Sequence, residues 1–153
     1  MPGRLEDLLA KKLERQEKTG VDREAERKEW IQRVEDLIKQ IRGWLKPLAD
    51  RQYLTIRTQT HSIHEEELGS YTVTGLQIEF VDGQSVKIWP ISRYIVGGMG
   101  RVDLRAGART VMIVHRGGGR WEFAERIGRY EQPKTWPFNQ TTFEELLADI
   151  IEE

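Results

Sequence analysis

Apolar side chains between residues 30 and 48 recur with the period of an α-helix. This spacing predicts an amphipathic helix of about 25 residues, from Asp22 to Leu48, that ends near Pro47. Its apolar stripe needs a partner, which is either the protein's own sheet or the seam of a second helix. The tryptophans make the stripe wider than the seam of a coiled coil, in which two positions of each heptad are apolar. This width favours packing on the sheet. The stripe consists of Trp30, Ile31, Val34, Leu37, Ile38, Ile41, Trp44, Leu45 and Leu48.

Residues 4–18 predict a separate, shorter helix, because the "TG" at 19–20 interrupts the helical pattern and Asp22 is suited to cap a new helix. We therefore divide the chain into an N-terminal helical appendage, residues 1–20, and a single α+β domain, residues 21–153. One sheet face is expected to be too small for both helices, so the short helix predicts a protein partner or self-association. Its apolar side chains are Leu5, Leu8, Leu9 and Leu13.

Beyond Arg51 the period of the apolar residues changes to two, which predicts strands. The first strand is "YLTIRT", residues 53–58, and the second begins near Tyr71. In that second segment the apolar residues move from odd to even positions at Thr74–Gly75. This change of parity predicts a β-bulge, with glycine supplying the unusual backbone angle.

The "DG" that follows predicts a hairpin turn, and the side-chain pattern selects its length. A two-residue loop would pair Ile78 with Lys87. A three-residue loop over residues 81–83 pairs Ile78 with Val86, so that apolar meets apolar. We therefore predict the longer loop, with Gly83 in a left-handed conformation.

Three glycines in "YIVGGMGRVDL" raise the question of a phosphate-binding loop. Such a loop needs a helix N-terminus after it, whereas β-branched residues and further turn signals follow here. Gly97, Gly98 and Gly100 are therefore predicted to form a turn between strands. A second hairpin follows with its loop at 117–119, and the apolar run 111–114 predicts a central strand covered on both faces.

The C-terminal "TTFEELLADIIEE" predicts a closing helix, in which Thr141 and Glu144 have the spacing of a capping box. The proline-containing segment before it is expected to be a connection. Together these elements predict an α+β fold: one short and one long N-terminal helix, an antiparallel β-meander of five to six strands, and a C-terminal helix.

The composition excludes several classes of protein. The chain has no cysteine, which rules out a disulfide framework and a thiolate metal site. No apolar run approaches the roughly 20 residues of a membrane span, and the charged N-terminal segment does not fit a signal peptide. We expect a cytoplasmic protein without a membrane segment and without a cofactor.

Positive charge is concentrated between residues 93 and 129, where eight arginines and no lysine accompany three acidic residues, a net charge of +5. Arginine favours bidentate contacts to carboxylate or phosphate. The partner is either the acidic segment 130–153 of the same chain or an external anion, RNA, DNA or acidic protein. The tip "HRGGGR" is the best single candidate for an anion site, since Arg116 and Arg120 become cross-strand neighbours there. The alternative, which surface charge energetics favour, is a flexible turn whose two arginines extend into water or reach Glu122. The candidate anion-binding residues are Arg101, Arg105, Arg109, Arg116, Gly117, Gly118, Gly119 and Arg120.

The segment "HSIHEEE" is the only cluster of metal-ligand residue types. On a helix His61, His64 and Glu65 would share one side, but in an extended segment the two histidines point to opposite faces. The spacing matches no zinc-hydrolase motif. A polar, solvated loop is the alternative interpretation.

Three hypotheses about function follow from these patterns. The first is a non-catalytic interaction or adaptor domain that binds a protein partner or itself. The second is an anion- or nucleic-acid-binding module that uses the arginine-rich sheet face. The third is a metal-dependent enzyme built on His61 and His64. The sequence contains no nucleophile elbow and no triad spacing, so it favours the non-catalytic alternatives.

Overall fold

The structure, a computed structural model, describes residues 3–66, 68–93, 100–128 and 131–152, without the side chains of residues 16–22. Two helices and seven strands are found in these ranges, which confirms the α+β class and raises the strand count above five to six. The elements are α1 (Arg4–Asp50), β1 (Leu54–Glu65), β2 (Gly69–Phe80), β3 (Ser85–Ser92), β4 (Arg101–Ala106), β5 (Arg109–His115), β6 (Trp121–Glu125), β7 (Lys134–Pro137) and α2 (Gln140–Glu152).

The N-terminal helical region forms one element, α1. The predicted junction at Thr19–Gly20 and the predicted cap at Asp22 fall on residues 16–22, outside the described side chains. Pro47 does not end the helix, which continues to Asp50. Proline removes the hydrogen bond to the carbonyl of Gly43, but both residues lie on the exposed side, where water can bind that carbonyl.

The strands form one antiparallel sheet in the order in which they follow along the chain, as the meander prediction requires. The stripe of α1 and the apolar side of α2 pack with the inner sheet face in a single core, which confirms packing on the sheet. Its fully or nearly fully buried members from the helices are Trp30, Val34, Leu37, Ile38, Ile41, Leu45, Phe143, Leu146, Leu147 and Ile150.

The first hairpin has the predicted register. Ile78 pairs with Val86 and Leu76 with Ile88, and Gly83 has a φ of 91°. The second hairpin also has its three-residue loop, because His115 pairs with Trp121. In both cases a local turn signal and the apolar pattern agree, which fixes the register.

The predicted bulge at Thr74–Gly75 is wrong. β1 and β2 pair without a register shift from Leu54↔Phe80 to Glu65↔Gly69. The buried positions nevertheless change from odd to even numbers along β2, and they change from even to odd at the paired positions of β1. The two strands therefore bury opposite faces at their two ends, although neither strand contains an extra residue. Gly75 is needed for another reason: a Cβ there would lie 2.8 Å from the ring of Trp89.

Two polar or short segments predicted as loops are strands. Residues 61–65 belong to β1, although they were expected to be a solvated loop, because β2 pairs with them throughout. Residues 134–137 form the edge strand β7 beside β6. The predicted capping box is also displaced: Asn139 Oδ1 accepts from the N–H of Thr142 at 2.9 Å, and Thr142 Oγ1 accepts from the N–H of Asn139 at 3.0 Å.

The glycine-rich connection between β3 and β4 lies mostly outside the described residues, since 94–99 are not among them. Strand β4 follows it and pairs antiparallel with β3, as predicted for a turn between strands. Gly100 contacts the core directly, because a Cβ at this position would lie 2.2 Å from the indole of Trp30. The fully buried Trp30 therefore requires glycine there.

Strand β5 is interior, as predicted, but its two faces differ. Val111 and Ile113 are fully buried on the inner face, whereas Met112 on the outer face remains partly exposed. The outer face therefore has only partial cover, and Arg101, Arg116 and Arg126 lie on its exposed part.

Candidate functional site

The tip of the β5–β6 hairpin has the predicted construction. Gly117, Gly118 and Gly119 all have positive φ, between 61° and 92°. Arg116 and Arg120 face each other across the loop, since the N–H of Arg116 donates to the carbonyl of Arg120 at 3.0 Å. Glu122 offsets the repulsion between the two guanidinium groups, because its Oε2 lies 2.8 Å from Arg116 Nε.

The sheet arginines are bound by carboxylates of the same sheet. Asp103, which is only 1% exposed, accepts two hydrogen bonds from Arg101 at 2.6 and 3.0 Å and lies 3.5 Å from Arg105. Glu125 accepts two from Arg109 at 2.8 and 3.0 Å. The internal partners in the described part of the chain are therefore neighbouring strand residues, rather than the acidic C-terminal segment that the sequence suggested.

A groove of about 620 Å³ crosses the outer sheet face. Arg101, Arg116 and Arg126 line it beside the apolar Met112, and Gln132 borders it. Arg126 forms no ion pair with any described residue. The predicted arginines thus converge only in part: Arg101 and Arg116 share this groove, while Arg109 lines a separate cavity.

The structure does not bring His61, His64 and Glu65 together. His61 stacks on Trp89 with ring centroids 3.9 Å apart, and its Nε2 donates to the carbonyl of Pro90 at 2.9 Å. His64 lies on the other face, exposed. No group of three potential metal ligands occurs among the described residues.

Glu65 belongs to a buried hydrogen-bond chain that the sequence did not reveal. Trp30 Nε1 donates to the hydroxyl of Tyr71 at 3.1 Å, and that hydroxyl donates to Glu65. The other carboxylate oxygen accepts from the hydroxyl of Ser92 and from the N–H of Arg93. Burial, followed by the hydrogen bond to Glu65, raises the pKa of Tyr71. These hydrogen bonds join α1 to the end of the β1–β2 ribbon near the Glu65–Gly69 pair. Their role is therefore structural.

A cleft of about 420 Å³ between α1 and the β5–β6 hairpin has no signal in the sequence. His115 is fully buried at this cleft, and Arg33 of α1 lines it as well. These two residues are 82 positions apart in the chain, and neither belongs to a recognisable motif. Only the packing of the helix against the hairpin brings them together.

The N-terminal leucine face, Leu5, Leu8, Leu9 and Leu13, is uncovered. These side chains are 70%, 47%, 55% and 57% exposed. Every residue from 3 to 15 is exposed. Between described residues, the first side-chain hydrogen bond from α1 to another element joins Arg27 Nη1 to the carbonyl of Leu68 at 3.3 Å. The face therefore makes no contribution to the core.

Comparison with known proteins gives no relative: no family model, no curated protein and no solved structure matches the chain. Within the part of the chain that the structure describes, no helix is long and apolar enough to cross a membrane.

Proposed function

We propose that the protein is a non-catalytic interaction module that self-associates through the N-terminal leucine face. The observation that carries this proposal is the exposure of four leucines on three successive turns of one helix. Scattered apolar residues are common on protein surfaces, whereas a contiguous apolar face is typical of an interaction site. Helical spacing keeps Leu5, Leu9 and Leu13 on one side, so a second helix can cover them together.

Charge complementarity favours a second copy in the antiparallel direction. Glu6 lies on the flank of the face about one turn before its centre, and Lys12 lies beside the face about one turn after it. When two copies pair antiparallel about Leu9, the acidic turn of each lies opposite the basic turn of the other. A parallel pair would instead place like charges at the same level, which is unfavourable.

The size of the face sets the expected affinity. Full burial of one leucine side chain is worth about 1.5–3 kcal/mol. Two copies would cover eight leucines that are each roughly half exposed, a gain on the order of 7–14 kcal/mol. Association itself costs roughly 4–15 kcal/mol, so we expect a reversible dimer with a dissociation constant in the micromolar range or weaker.

Sedimentation velocity over a concentration series tests this proposal. The natural protein should show a concentration-dependent monomer–dimer equilibrium, and the double variant Leu9→Ser/Leu13→Ser should remain monomeric. Val81→Ser is the matched control, because Val81 is 80% exposed and lies on the distant β2–β3 turn. A strict monomer for the natural protein at high micromolar concentration contradicts self-association, as does equal association of the leucine variant.

The outer groove supports a second candidate function, anion or nucleic-acid binding. Arg126 forms no ion pair with the described residues beside this groove, and Arg120 at the hairpin tip also forms none there. If these side chains bind phosphates, retention on heparin should fall steeply with added salt. Replacing Arg120 and Arg126 together by Gln should then abolish retention, and unchanged retention would exclude this surface.

A further inference from the structure

Two hydrogen-bond donors without acceptors meet at the cleft between α1 and the β5–β6 hairpin. One is His115 Nε2 and the other is Arg33 Nη1; both are buried, and neither has a hydrogen-bond partner among the residues that the structure describes. Buried donors are normally bonded, since an unmade bond costs the full desolvation of the group. Two such donors at one cleft therefore indicate a missing acceptor.

The hydrogen bonds of His115 fix which nitrogen carries its proton. The N–H of Gly117 donates to His115 Nδ1 at 3.3 Å, so Nδ1 is the acceptor and the neutral ring holds its proton on Nε2. The ring also packs edge-on against Trp121, with centroids 5.0 Å apart. The hairpin thus holds this donor in a fixed orientation.

Arg33 contributes positive charge on the other side of the cleft. Its Nη2 bonds Glu29, one turn earlier on α1, and this leaves Nη1 without an acceptor. The side chain is still 23% exposed, so it can move to admit a ligand. Lys39 and Asp36 border the same cleft. Lys39 adds a second positive charge, and Asp36 adds a negative one.

We propose that this cleft binds a phosphate group, with Arg33 and His115 as its hydrogen-bond donors. The oxygens of a phosphate can accept from both donors, and Arg33 and Lys39 supply positive charge beside them, which Asp36 offsets in part. The volume of about 420 Å³ leaves space beyond the phosphate itself. Both free phosphate and the phosphate of a small phosphomonoester therefore fit.

Nuclear magnetic resonance of the histidine rings tests the site, using inorganic phosphate and phosphoserine as separate probes. The chain has three histidines, so His61 and His64 are internal controls in the same sample. We expect a saturable shift of the His115 ring nitrogens with either probe and no matching shift of the other two rings. Tighter binding of phosphoserine would identify a phosphomonoester as the ligand, and equal binding would identify free phosphate.

Arg33→Gln should weaken phosphate binding about tenfold or more, the value of one charge-assisted hydrogen bond. Arg33→Lys, which keeps the charge, should have an intermediate effect. The matched control is Lys28→Gln, since Lys28 also pairs with an acid one turn earlier on α1, Glu24, but does not line the cleft. The proposal is overturned if His115 shows no saturable shift at tens of millimolar phosphate, or if Arg33→Gln binds phosphate as well as the natural protein does.

Discussion

At the scale of single residues, His115 is a fully buried imidazole close to positive charge. Burial first, and then Arg33 and Arg93, lower its pKa below the ordinary value, while Glu29 acts in the opposite direction. A histidine whose pKa is lowered on folding takes up fewer protons in the folded state than in the unfolded chain. Its effect on stability is therefore confined to acidic solution.

We accordingly predict that the free energy of unfolding falls as the pH drops below about 6.5, the ordinary pKa of histidine. The His115→Gln variant should lose this dependence between pH 7 and pH 5.5, whatever its absolute stability. His64→Gln, which changes an exposed histidine, should keep it. Urea unfolding of the three proteins at several pH values measures the slopes, and identical slopes for all three would contradict this assignment.

At the scale of elements, α1 carries the largest apolar contribution to the core. Ile41 is fully buried, and the next residue, Arg42, is exposed on the same helix. Replacing Ile41 by Ala removes packed methyl groups and leaves a cavity, which should lower the free energy of unfolding by about 2–5 kcal/mol.

Arg42→Ala is the control and should change that free energy by less than about 0.5 kcal/mol. Chemical denaturation of the two variants gives both numbers. A small effect of Ile41→Ala would mean that the stripe is not packed against the sheet, in contradiction to the described core.

The elements also show what local sequence patterns can predict. The register of the β2–β3 hairpin was predictable, because the turn residues and the pairing of Ile78 with Val86 lie within nine positions of each other. The bulge prediction failed because the change of burial at Gly75 depends on Trp89, a residue of the next strand. β7 was missed because it has only four residues, follows Pro133 and ends at Pro137. It pairs with a single neighbour, β6.

At the scale of the whole molecule, the candidate sites were only partly predictable. The sequence identified the arginine-rich region, but the carboxylates that bind it depend on cross-strand positions, as in the pair Arg109–Glu125. The cleft between Arg33 and His115 depends on how a helix packs against a distant hairpin. In contrast, the exposed leucine face was predictable, since helical periodicity alone places its residues together.

Disulfide trapping tests both whether two copies associate through the leucine face and whether their helices pair antiparallel or parallel. The chain has no cysteine, so single-cysteine variants report one site each. Arg4 and Arg15 are eleven residues apart, close to three helical turns, and so lie on the same flank of the leucine face. In an antiparallel pair centred on Leu9, Arg4 of one copy lies near Arg15 of the other.

The measurement is therefore the yield of cross-linked dimer for Arg4→Cys, for Arg15→Cys, and for their equimolar mixture under mild oxidation. Antiparallel association predicts an efficient mixed disulfide and little cross-linking of either variant alone. Efficient cross-linking of each variant with itself would show a parallel pair and contradict the proposed direction. No cross-linking in any sample at high micromolar concentration would contradict self-association through this face.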